Sequence, residues 1–204
     1  MPLAPAMAVF NGAVHLLHIS EGGHLRHGVR DAEGKWSAPV WPDGEEIAGP
    51  GGRAPRASFA HGISLALKSS VKLGYPGNPA LAAHDGALHL LYRANPVNGG
   101  LRYAIFDGAG RKGPGTPGDG SAHTEMNSRS GVALASYGGK LHAVYPHPKT
   151  DKLCHATLDG DEWTEPTELD GHSFKNTPAL LAHKEGPAGA ERETLLMMYR
   201  SIDN

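Results

Sequence analysis

The chain has 204 residues, a formal net charge of −2 and 13 histidines, and only 6% of its residues are aromatic. Lysine and arginine are scattered along it, so charge gives no reason to expect nucleic acid or an anionic membrane surface as a partner. A single cysteine, Cys154, excludes an intramolecular disulfide and a cysteine-based zinc site, and no apolar run approaches the roughly 20 residues needed to cross a bilayer.

The opening, MPLAPAMAVF, has no basic stretch followed by a long apolar core. As written the chain reads as cytoplasmic; a secreted chain trimmed of its leader would read the same. From Pro5 the sequence runs PAMAVF, Asn11-Gly12, AVHLLHI. Two apolar runs of strand length flank a dipeptide that supplies the positive φ angles of a tight hairpin. A turn at Gly22-Gly23 precedes a third run, and the stretch EGKWSAPV opens a fourth at Trp36. Residues 42–78 then interrupt the pattern; they include RASFAHGISLALKSS, which reads as a long loop or as a pair of strands from a decayed repeat.

At Pro79 the pattern starts again: PALAAH, Asp85-Gly86, ALHLLYR, a turn at Gly99-Gly100, LRYAIF, and Asp107-Gly108. RKGPGTPG stands where the tryptophan-led run belongs, so the fourth strand of this copy is expected to be degraded or displaced. A third copy begins at Val132 with Gly138-Gly139 as its hairpin, Asp159-Gly160 as its later turn and Trp163 leading the fourth run. A fourth copy begins at Pro178 and ends after its second strand, at Tyr199 and Arg200.

Repetition at this scale decides the fold. In ALHLLYR, Leu88, Leu90 and Tyr92 point one way and His89, Leu91 and Arg93 the other. Both faces carry apolar residues, which suits a sheet packed on both sides. The expectation is an all-β chain, a single β-propeller domain over 1–204 with about four to five blade equivalents. Its antiparallel four-stranded repeats cover about 5–41, 79–120, 132–170 and 178–204, the last blade being incomplete in the sequence. A β-sandwich is the runner-up, but it does not explain the repetition. Three routes to closure stay open: the inserted strands complete a blade, the ring closes between chains as a homodimer, or the sequence is truncated.

The repeat PAL-A, then Asn/Asp-Gly, Leu/Val-His, an aromatic-Arg strand end, Leu-x-Tyr/His-Ala and Trp-Ser/Thr resembles that of bacterial tandem-repeat β-propeller lectins of the fucose-binding type. GHSFKNTPALLAH is similar to their link between blades. The resemblance implies shallow sugar pockets between adjacent blades. On this chain it implies Tyr92, Arg93, Tyr145, Tyr199 and Arg200 from the ends of strand two. From strand three it implies Tyr103 and His155, with His27 at the matching place in the first copy, and from the fourth-strand starts Trp36 and Trp163. Rings cover the apolar C–H face of a pyranose, and arginine or histidine at its edge bonds the hydroxyls. Residues that recur in every copy also serve to pack blades, which is the competing reading for the tyrosines and tryptophans. Arg93 and Arg200 are not needed by a core.

The first copy concentrates His15, His18, His24 and His27. Residues three apart on a strand face opposite ways, so His15 and His18 diverge. His18 with His27 across the hairpin, or with His24 near the turn, is the weak metal candidate, and no cofactor is expected. His15, His89 and His142 share one repeat position, which favours a structural or hydrogen-bonding role over chemistry. RDAEGKWS resembles the Asp-box turn of sialidase propellers in its Asp, Gly and Trp, but it lacks the serine of that box, which does not catalyse. No Gly-x-Ser-x-Gly motif or phosphate loop is present, and no Cys-His nucleophile context. The leading expectation is therefore a non-catalytic, carbohydrate-binding propeller whose partners are glycans or small sugars. The alternatives are a small propeller enzyme or accessory protein with a histidine-lined pocket, and a protein-interaction platform.

Overall fold

The structure is a computed structural model that describes residues 4–19, 25–37, 77–93, 100–106, 126–160, 162–174, 176–187 and 192–201. His24, most of the 42–78 insertion, the RKGPGTPG stretch and the Gly22-Gly23 and Asp107-Gly108 turns lie outside them. Among the described residues every regular element is a strand, and no helix is long and apolar enough to cross a membrane.

Among the described residues, four antiparallel sheets follow one another along the chain. The first holds β1 (Ala6–Phe10), β2 (Ala13–Ile19) and β3 (Leu25–Arg30) in that order. The second holds β4 (Ala80–His84), β5 (Ala87–Arg93) and β6 (Leu101–Phe106). In the third, β7 (Ala133–Tyr137), β8 (Lys140–Pro146) and β9 (Lys152–Asp159) are followed by an outer strand in two pieces, β10 (Glu162–Trp163) and β11 (Thr167–Ser173), both paired to β9. The fourth holds β12 (Ala179–Glu185) and β13 (Arg192–Met198).

The first two strands of each of the first three sheets are joined by the two-residue turn read from the sequence. Asn11 and Asp85 take φ of 49° and 44°, and the glycines after them, Gly12 and Gly86, take 75° and 69°. In the third sheet glycine fills both turn positions, at Gly138 and Gly139. Two successive positive φ angles match the right-handed twist of a hairpin, so each turn fixes its register.

Each first strand lies beside the first strand of the next sheet: β1 by β4, β4 by β7 and β7 by β12. The sheets therefore pack face to face around a line of inner strands, as propeller blades do. Alternation assigns the faces as the sequence suggests. Leu88, Leu90 and Tyr92 pack with Phe10 and Leu17 of the first sheet, while Leu91, Leu101 and Tyr103 pack with Leu141, Tyr145 and Trp163 of the third. Val144 and Leu153 pack with Phe174, and Leu180, Met197 and Tyr199 of the fourth sheet lie against them. The three clusters make up most of the core, and each lies at a junction between consecutive sheets.

The tryptophan-led fourth strand is built the same way in the first and third sheets. Ser37 N–H donates to the Val29 carbonyl and its hydroxyl accepts from Val29 N–H (2.7 and 2.9 Å). Thr164 repeats both bonds with Thr157 (2.8 and 3.0 Å). In the second sheet Asn127 bridges to Gly100 as Ser173 does to Lys152 in the third, while the stretch where a degraded or displaced strand is expected lies outside the described residues.

The inner ends are latched across blades. Ala4 N–H donates to Asn78 Oδ1, Val132 N–H to the Asn78 carbonyl and Gly131 N–H to Thr177 Oγ1 (3.0, 3.3 and 3.0 Å). Ala4, Asn78, Gly131 and Thr177 each stand one residue before a repeat start. The latch is thus a property of the repeat and holds neighbouring blades at a fixed spacing.

Candidate functional site

The recurring histidine is a structural pin. His15, His89 and His142 each turn Nε2 to the carbonyl five residues earlier, in Phe10, His84 and Tyr137 (3.3, 3.1 and 3.2 Å). A carbonyl only accepts, so Nε2 carries the proton and Nδ1 of the neutral ring accepts. The donor comes from strand three each time: His27 Nε2 (3.2 Å), the Tyr103 hydroxyl and His155 Nε2 (3.0 Å). The pairs are stacked, with centroids 5.4, 5.8 and 5.2 Å apart. Burial lowers the pKa of all five histidines, His27 to about 3 and His89 to about 4.

This geometry corrects the pairing considered for the first repeat. Leu17 faces His27 across the β2–β3 pair, and His18 faces Arg26. His27 therefore shares a face with His15, and His18 lies on the other side of the sheet. Two rings on opposite faces cannot hold one ion. Among the described residues no cluster of three or more histidine, cysteine or carboxylate groups is arranged to hold a metal.

The aromatic and arginine candidates separate into three groups. Tyr103 and His155 are partners of the histidine pins. The tryptophans sit toward the hairpin end: Trp163 pairs with Leu158, which pairs with Leu141, next to the Gly138-Gly139 turn. Trp163 is buried and meets the Tyr103 ring of the preceding sheet edge-on at 5.5 Å. Trp36, its counterpart, is exposed.

The third group lies at the opposite end, where the strand-two ends are. Adjacent residues of a strand face opposite ways, so Tyr92 and Arg93 belong to different junctions rather than to one pocket. Tyr92 faces the first sheet. Arg93, half-buried, pairs with Leu101 on the face that meets the third sheet, and Tyr145 stands on the facing side of that junction. The Tyr145 hydroxyl is buried and has no hydrogen-bond partner among the described residues. Burial raises its pKa, so it stays a protonated donor. Cys154, directly across from it, is buried, and burial pushes its thiol up to about 11.

Tyr199 stands at the next junction, its hydroxyl bonded to His172 Nδ1 (2.7 Å), while Arg200 is exposed on the outer face of the fourth sheet. The facing position, Arg93 in the second sheet, is Ile19 in the first and Pro146 in the third. The junctions are therefore chemically unequal, and the one between the second and third sheets carries both an arginine and a phenol that no described residue pairs. His172 and the Arg129–Asp151 ion pair (2.8 Å) also belong to this end. The sequence reading had not singled them out, although the link GHSFKNTPAL held the histidine in plain view.

No protein-family model matches the chain, and no curated protein matches it in sequence. Solved structures do match in fold. The six-bladed β-propeller lectin of Aleuria aurantia, a fungal lectin described as having a novel fucose recognition mode, superposes with a TM-score of 0.56 at 11% identity, over 95% of this chain and 55% of that one. Another structure of the fucose-specific lectin from Aleuria aurantia gives 0.55 at 11%, over 97% and 54%. Zg3597, a family 117 glycoside hydrolase produced by the marine bacterium Zobellia galactanivorans, gives 0.50 at 13%, over 95% and 59%. The chain thus spans little more than half the length of these proteins, and the likeness establishes the β-propeller fold.

Proposed function

We propose that the chain is a non-catalytic carbohydrate-binding propeller whose best site lies at the junction of the second and third sheets, at the strand-two ends. The observation that carries this reading is the Tyr145 hydroxyl, a buried donor without a partner among the described residues, on the junction that also holds Arg93. An unpaired buried hydroxyl costs about 1–3 kcal/mol, so a ligand oxygen there recovers what the fold gives up. Arg93 adds fixed donors for sugar hydroxyls, and the leucines beside it offer an apolar wall. The fucose specificity of the Aleuria aurantia lectin supports a deoxyhexose as the first sugar to try, since its methyl group suits such a wall. Tyr199, already bonded to His172, and Tyr92, opposite Ile19, make weaker sites, and linked weak sites gain through avidity.

A glycan array probed with the purified chain tests this. Binding to fucosylated glycans is expected, with Arg93→Ala reducing it at least about tenfold, the loss of a charge-assisted hydrogen bond. An array without signal, or one that Arg93→Ala leaves unchanged, would overturn the reading.

A further inference from the structure

Among the described residues, the outer faces of the first and fourth sheets are apolar and exposed, and each repeats a surface that is buried elsewhere in the same chain. On the first sheet Met7 is 63% exposed, whereas Leu81 and Leu134, at the same repeat position, are 6% and 7% exposed. Trp36 is 44% exposed, against 7% for Trp163. Trp36 lies over Gly28 as a wedge on this face, 3.8 Å from where a Cβ would stand. On the fourth sheet Met198 is 63% exposed, while its counterparts Leu17, Leu91 and Val144 are 0%, 2% and 3% exposed. Leu181 and Leu196 extend that patch, and they pair across β12 and β13.

These faces are of opposite kinds. Met7 and Val9 occupy the positions that, in the second and third sheets, receive the preceding blade, and Trp36 occupies the position that does so in the third. Leu181, Leu196 and Met198 occupy the positions that, in the first three sheets, receive the following blade. The same junction is made three times inside the chain, and the open faces are its two unmatched halves.

We propose that the Leu181/Leu196/Met198 face of one copy packs on the Met7/Val9/Trp36 face of a second copy, head to tail, as a fourth junction of the kind already made within the chain. A heterologous contact of this sort closes into a ring when its rotation allows, and two copies then share two such junctions. Closure would also bring Arg200 of one copy toward His18 of the other, because these residues hold the repeat positions of Arg93 and Tyr145. The Nδ1 of His18 is buried without a hydrogen-bond partner among the described residues. The association does not depend on sugar binding.

Light scattering with size exclusion at tens of micromolar chain tests it. The unmodified chain is expected at the mass of two copies or of a larger closed ring. Met7→Asp and Met198→Asp, both at exposed positions, are each expected to run as single chains with an unchanged far-ultraviolet spectrum. Mixed together, they should regain association, because the intact fourth-sheet face of the first meets the intact first-sheet face of the second. A single-chain mass for the unmodified protein overturns the proposal, whatever the variants do. So does a variant that stays associated by itself, since that indicates like faces pairing, or a mixture that stays monomeric while the parent associates.

Discussion

Lowering the pH from 7.5 to 4.5 is expected to cost the fold about 5 kcal/mol, enough to bring a domain of ordinary stability close to unfolding. The cause is the set of neutral histidine pins. His27 and His89 are almost wholly buried, and burial, the largest cause in both, holds them at about 3 and about 4. In the unfolded chain the same rings titrate near 6.5. Below that value the unfolded state takes up protons that the folded state refuses. The stability is present in full above pH 6.5. It is lost as the pH falls, down to about 4 for His89 and about 3 for His27, at roughly 1.4 kcal/mol per pH unit for each ring. The depressed pKa values of His15, His142 and His155 act in the same direction. Protonation would also remove the acceptor that each pin presents to strand three. Urea midpoints measured across this range should fall steeply below pH 6.5; a flat profile would contradict the neutral, buried pairs.

Gly131→Ala is expected to lower stability by about 3 kcal/mol or more, the upper end for overpacking, and the melting temperature by roughly 6–12 °C. A Cβ on Gly131 would stand 2.5 Å from the Asn78 nitrogen, 2.6 Å from its carbonyl oxygen and 2.7 Å from Thr177 Oγ1. Two of these atoms are backbone of the neighbouring blade's link, so no side-chain rotation relieves them. The latch from Gly131 N–H to Thr177 Oγ1 must stretch, and the inner ends of the second, third and fourth sheets move apart together. Gly139→Ala makes a useful contrast. Its Cβ would meet nothing within 4 Å, so its cost comes only from a φ of 75° and should be about 1–2 kcal/mol. Equal melting temperatures for the two variants would contradict the close approach at the hub.

Much of this was legible in the sequence because the information was local. Asn11-Gly12 and Asp85-Gly86 encode their turns in two residues. The alternation in ALHLLYR encodes a strand packed on both faces, and the recurrence of His15, His89 and His142 pointed to hydrogen bonding before any partner was known. What the sequence obscured was relational. Tyr92 and Arg93 look like one motif when read in line, yet strand alternation sends them to different junctions. Tyr145 and Arg93 lie 52 positions apart in the chain but on facing sides of one junction, which follows only from how neighbouring blades meet. Trp36 and Trp163 read alike because their local bonding is alike. Their difference in exposure arises from position: Trp163 packs on Tyr103 of the second sheet, whereas Trp36 lies on the exposed face of the first. The crowding at Gly131 depends on three successive links converging.

The site itself is tested most directly by calorimetric titration of methyl α-L-fucoside into the unmodified chain and into Tyr145→Phe. Removing one hydroxyl leaves the ring and its packing in place. If that hydroxyl bonds the sugar, affinity should fall by about three- to tenfold, the worth of one hydrogen bond, while thermal stability stays level or rises because an unpaired buried donor is gone. Unchanged affinity in Tyr145→Phe, or no heat of binding in the unmodified chain, would contradict a sugar site at the junction of the second and third sheets.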